Sequence, residues 1–285
     1  MGMDRNQVIG FVLIGILLIG MFAINSRNRL AYEAEQKRIA DSVAALKPPV
    51  AADSSIKANP AQVQRVASLS GFSMAGSENP SVILENDVLK ISFSSKGGQP
   101  SRVEMKKYVR FDKTPVLVQD GSFNELSYRI NTGNNHTEQT ADLLFSPGPV
   151  IENSDGSHSV SFTAGDSLGH KLIHTYTLRK GNYLLDCRFD LQGASDLITG
   201  KKWTLLWKTE APQVEKNHAF ESSQSHICYL SKEKYDFEYL RKADKISLEG
   251  PTQWVALKQQ FFARVLIAGN KFDEAPTSWV VPADS

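Results

Sequence analysis

The chain has 285 residues, of which 41% are hydrophobic, enough to bury an ordinary core and too many for disorder throughout. Its 32 Lys and Arg against 31 Asp and Glu leave a formal charge of +1, so no overall field exists to draw in nucleic acid, which is not expected as a partner. Two cysteines far apart, Cys187 and Cys228, exclude a disulfide framework and the usual zinc spacings. Whether these two pair is left open, and Cys187 reads as a small buried hydrophobe within the alternation Leu185, Cys187, Phe189, Leu191.

Near the N-terminus every residue from Val8 to Ile24 is apolar. At about 1.5 Å per residue a helix over this run is about 26 Å long, close to the hydrocarbon thickness of a bilayer. Residues 21–25 (MFAIN) offer no small-x-small cleavage site and no lipoprotein cysteine, so an uncleaved transmembrane anchor is expected rather than a signal peptide. Arg5 precedes the run while Arg27 and Arg29 come after it, a count that opposes export of the C-terminal part. Long domains cross largely regardless of such charges, and the extended spacer that comes next suits an exported domain. Gly10, Gly15 and Gly20 recur every five residues and make no GxxxG face.

Residues 27–46 are rich in Ala, Glu, Lys and Arg, with Ile39, Val43 and Leu46 at helical spacing, and predict a short helix leaving the membrane. Pro48-Pro49 stops it, and residues 47–80 have the Pro, Ala, Ser and Gln composition of a tether. From residue 81 the pattern changes to short alternating runs punctuated by Gly, Asn and Asp, the mark of an antiparallel β-domain. Leu89, Ile91 and Phe93 alternate with polar residues before Lys96-Gly97-Gly98 turns the chain into residues 101–105. A second hairpin is expected from 171–178 and 183–191 around Arg179-Lys180-Gly181-Asn182. Further strands are expected near 126–130, 159–163, 203–207, 226–230, 261–268 and 279–281, and a large sandwich fits so many strands better than a small barrel. Residues 232–245, charged with Tyr235, Phe237, Tyr239 and Leu240 interspersed, are expected to form a short helix crossing one edge.

Chemistry is sparse. His170 and His174 are the only close histidine pair, but four residues of strand span about 13 Å, too far for both rings to share a metal. No P-loop, dinucleotide fingerprint, GxSxG or HExxH occurs, so no catalytic, cofactor or metal residue is assigned. Trp203, Leu205 and Trp207 share one strand face, which reads as core with a sugar-stacking platform as the alternative. Asn135-His136-Thr137 matches a glycosylation acceptor by chance frequency alone.

Four stretches, in order, resemble the YidC membrane protein insertase family of Gram-negative bacteria: residues 3–7 (MDRNQ) leading into the apolar run, 91–103 (ISFSSKGGQPSRV), 175–183 (TYTLRKGNY) and 254–262 (WVALKQQFF). The resemblance implies an antiparallel β-supersandwich, similar to galactose mutarotase, in the periplasm, followed by a bundle of five further membrane helices. In that bundle a hydrophilic groove holding an arginine eases polar segments of new membrane proteins into the bilayer, lowering the cost of carrying them partway across. The present sequence stops at Ser285 without a second hydrophobic span, so no groove residue has a counterpart in it and a fragment of a longer protein is expected.

The division this supports is an anchor over 1–27 with the span bounded by Val8 and Ile24, a linker over 28–80, and a mainly β periplasmic domain over 81–285. The expected role is the N-terminal part of an inner-membrane insertase and chaperone, not an enzyme, whose partners are nascent membrane proteins, Sec translocon subunits and the lipid bilayer. A membrane-anchored carbohydrate-binding or adapter domain is the alternative, since fold alone does not transfer activity.

Overall fold

Strict alternation of apolar and polar residues builds the first sheet. In β2 (Leu89–Ser94) the residues Leu89, Ile91 and Phe93 are buried and their neighbours are not, and β1 (Val82–Glu85) and β3 (Gln99–Val109) flank it antiparallel, with β4 (Pro115–Gln119) outside β3. The computed structural model describes residues 71–72, 82–133, 136–193, 197–198 and 203–281, all within one compact unit spanning Ala58–Ser285. The expected span from Val8 to Ile24 and all of the linker except residues 71–72 lie outside the described residues, and Phe72 is buried in the core of the β-domain; among those described, no helix is long and apolar enough to cross a membrane.

Next come β5 (Glu125–Gly133), β6 (His136–Gln139), a 3-10 turn (Thr140–Asp142), and the short β7 (Ser146–Pro147) and β8 (Ile151–Glu152). The hairpin expected around residue 180 is β10 (Lys171–Leu178) with β11 (Leu185–Gln192), and β9 (His158–Gly165) lies on the other side of β10. Gly181 takes the positive φ of 68° that its tight turn requires. β12 (Leu205–Lys208) pairs with β5. These sheets close on one core in which Ile91 and Phe93, Tyr128 and Ile130, Val160 and Phe162, Leu172 and Tyr176 are all buried. The layers are antiparallel sheets packed face to face, the sandwich expected from the sequence.

The C-terminal part adds a helix, α1 (His218–Ser223), and a four-stranded sheet in the order β14-β13-β16-β17: β13 (His226–Ser231), β14 (Lys234–Tyr239), β16 (Glu249–Lys258) and β17 (Ala263–Glu274). β15 (Asp244–Ile246) pairs with β18 (Thr277–Trp279). The Asn217 side chain caps α1 by accepting from Phe220 N at 3.1 Å, and buried Glu221 accepts from Val214 N at 3.1 Å.

The helix expected over 232–245 is instead the strand β14. Lys232 and Glu233 both adopt positive φ (51° and 63°), forming a two-residue turn of the I′ kind, and Tyr235, Phe237 and Tyr239 then alternate with Asp236 and Glu238. Period two, not helical spacing, orders this aromatic run.

Candidate functional site

The two glycines of the first hairpin are a joint of the core. Gly98 sits at φ 54°, and a Cβ on it would come within 2.8 Å of the Phe145 ring. Its carbonyl accepts hydrogen bonds from the Tyr176 hydroxyl at 2.7 Å and from His174 Nδ1 at 3.0 Å. A carbonyl can only accept, so Nδ1 carries the proton and Nε2 accepts from the Tyr128 hydroxyl at 2.9 Å. Both ring nitrogens are thus engaged in a fully buried site, with the His174 ring 4.3 Å from that of Phe145. Burial pushes the imidazole down to about 4 against the opposing pull of the Gly98 and Gly97 backbone, which keeps it neutral.

His170 does not join it. It lies just before β10 and holds Asp166 at 2.6 Å, and that carboxylate also accepts the His170 and Leu168 N–H groups, capping the turn. Among the described residues no group of three His, Cys, Asp or Glu side chains could hold a metal ion.

Trp203 precedes β12 rather than lying in it and is partly exposed, yet its ring meets Tyr128 at 5.2 Å and Phe189 at 5.8 Å, at the rim of the core. Leu205 packs on the same core, and Trp207, opposite Leu126, is half-buried. Cys187 departs from its expected burial. It shares the side of Leu185, Phe189 and Leu191, but β11 is an edge strand, so the residue is exposed. Cys228 is buried in β13, and both are free thiols.

The polar face of β12, β5 and β6 forms an open cleft of about 730 Å³, lined by Glu125, Arg129, Gln139, Asp142, Leu206 and Lys208 among others. Lys208 Nζ donates to Glu125 at 2.6 Å, Ser127 donates to the other carboxylate oxygen, and Gln139 donates to Ser127 Oγ at 3.0 Å. Partial burial by itself would raise the Glu125 carboxyl, but the hydrogen bonds from Lys208 and Ser127 outweigh it and hold the carboxyl below its ordinary value. A carboxylate so tied stays charged at neutral pH and is not poised to take up a proton. Glu125 and Lys208 lie 83 residues apart on partner strands, so sequence spacing carried no signal of the cleft.

The family model described as the YidC periplasmic domain matches residues 81–279. The chain belongs to the YidC family. Proteins named membrane protein insertase YidC align over nearly all of it: one from Parabacteroides distasonis is 28% identical over 95% of the chain, one from Bacteroides fragilis 29% over 95%, and one from Cytophaga hutchinsonii 28% over 91%. The chain spans less than half the length of these relatives, 45%, 44% and 42% respectively. Two of the stretches that carried the resemblance form no surface site of this YidC domain. Residues 91–103 and 175–183 meet in its interior, where Tyr176 clasps the carbonyl of Gly98.

Proposed function

We propose that the chain is the membrane-anchored, periplasmic front part of an insertase that places and helps fold inner-membrane proteins. The span from Val8 to Ile24 is its anchor, residues 28–80 its spacer, and residues 81–285 a non-enzymatic domain that meets nascent membrane proteins and Sec translocon subunits. The observation that carries this reading is the match of the YidC periplasmic model to residues 81–279, within alignments that run across 95% of the chain to proteins named insertases.

In the cleft, Glu125 is held charged by Lys208, an arrangement that suits an ion pair joining two strands better than a general acid. The test is to deplete the gene carrying this chain in its host and follow newly made inner-membrane proteins by protease protection. They are expected to accumulate outside the bilayer and to insert again when the gene is restored. Unchanged insertion on depletion would remove the proposal.

A further inference from the structure

One face of the sheet β14-β13-β16-β17 packs on a small core around Ile227, Val255 and Leu257, and its other face is open. Tyr235, Phe237 and Tyr239 stand on that open face, and the cross-strand register sets Trp254 of β16 and then Val265 and Ile267 of β17 in the same surface. The three β14 aromatics, Val265 and Ile267 are between 39% and 52% exposed, and Phe261, between β16 and β17, is 67% exposed. The rings touch: His226 lies 5.3 Å from Phe237, and Tyr235 lies 6.1 Å from Trp254.

Cations frame this surface at both ends. Lys258 is the cross-strand partner of His226, and the Arg241 guanidinium lies 4.8 Å from the Tyr239 ring. At the other end are Lys232 in the turn and Lys271, which pairs with Glu233 at 3.9 Å. The acidic residues of β14, Asp236 and Glu238, alternate with the aromatics and belong to the opposite face.

We propose that this aromatic face docks on the anionic surface of a lipid bilayer, an inference that rests on the membrane-anchored reading above. Tyr and Trp combined with Lys and Arg are the residue types that gather at the membrane–water interface. Anionic headgroups complement Lys258 and Arg241 at one end and Lys232 at the other, where Lys271 already has Glu233 as its partner. A protein interface would enrich the aromatics too, but it depletes lysine, and three of the four framing cations here are lysines. A second copy fits poorly: three interstrand gaps of about 4.8 Å by about 16 Å of strand cover roughly 230 Å² per partner, well short of the roughly 800 Å² per partner of a stable interface. An anchor ending near Ile24 and a domain starting at Val82 keep the face at high effective concentration beside the bilayer, so weak affinity suffices.

The test uses the full chain in lipid nanodiscs, with Cys187→Ser and Cys228→Ala and an environment-sensitive fluorophore on Ile267→Cys. A second preparation carries the fluorophore on Leu168→Cys, in the distant β9–β10 turn. In discs containing phosphatidylglycerol the 267 label is expected to shift to the blue and to be quenched by brominated acyl chains. Discs of phosphatidylcholine alone, added salt, or Phe237→Gln are each expected to reduce that signal several-fold, and the 168 label stays unchanged throughout. A 267 label that reads water in every disc overturns the docking proposal while leaving the anchor intact. A label that shifts only when a membrane-protein substrate is added overturns it in favour of a protein partner. A chain that does not enter the discs at all overturns the anchored reading and this proposal with it.

Discussion

His174 and Gly98 hold one hydrogen-bonded unit, and each makes a measurable claim. The imidazole titrates near 4 in the folded chain and near 6.5 when unfolded, so between these values the unfolded state binds the extra proton. This contribution to stability is therefore complete above pH 6.5 and declines as pH falls towards 4, by about 3 kcal/mol in all. Urea unfolding of wild type and His174→Gln at pH 7 and pH 4.5 should show the variant less stable at pH 7 but with a shallower loss on acidification. Equal slopes would mean that His174 is not held neutral. Gly98→Ala must place a methyl against Phe145 and accept a left-handed backbone, and is expected to lose about 2–3 kcal/mol in the same assay. From the sequence His174 was placed in the strand over 171–178, but neither its inward direction nor its purpose was read. Its partner, the Gly98 carbonyl, is 76 residues away and becomes a neighbour only when the sheets close.

At the scale of elements, two turns support one another. The Asn86 side chain donates to the Arg179 and Asn182 carbonyls at 2.6 and 2.8 Å while accepting the Val88 and Leu89 N–H groups, and Asp87 accepts from Gly181 N at 2.6 Å. Asn86→Ala should therefore lower stability by about 1–3 kcal/mol and speed hydrogen exchange at Gly181 and Leu184, in a turn it never touches in sequence. Lys208→Met is the contrast. Its partner Glu125 is half-buried but the lysine is well exposed, so a melting curve should show a change below about 1 kcal/mol. Elements whose alternation and turn chemistry agree were legible: β2 into β3 through Gly97-Gly98, and β10 into β11 through Gly181. β14 was not, because its turn is made by Lys232 and Glu233, residues that rarely adopt positive φ and so give no turn signal. Once β14 is recognised as a strand, its alternating Tyr, Phe and Tyr become the exposed face inferred to meet the bilayer.

At the scale of the whole molecule, the sandwich and its family were readable because specifying a fold requires many residues to agree, whereas the cleft and the open aromatic face arise from strands brought together only by tertiary pairing. The central claim is that the β-domain lies on the periplasmic side of the inner membrane, held by the segment from Val8 to Ile24. The direct measurement is labelling of Leu168→Cys, in a Cys187→Ser background, by a membrane-impermeant maleimide in cells whose outer membrane alone has been permeabilised. Leu168 is 80% exposed, so accessibility reports the side of the membrane and not burial. Full labelling while the inner membrane is intact, with no increase on lysis, is the expected result; labelling that appears only after the inner membrane is broken would place the domain in the cytoplasm and contradict the claim.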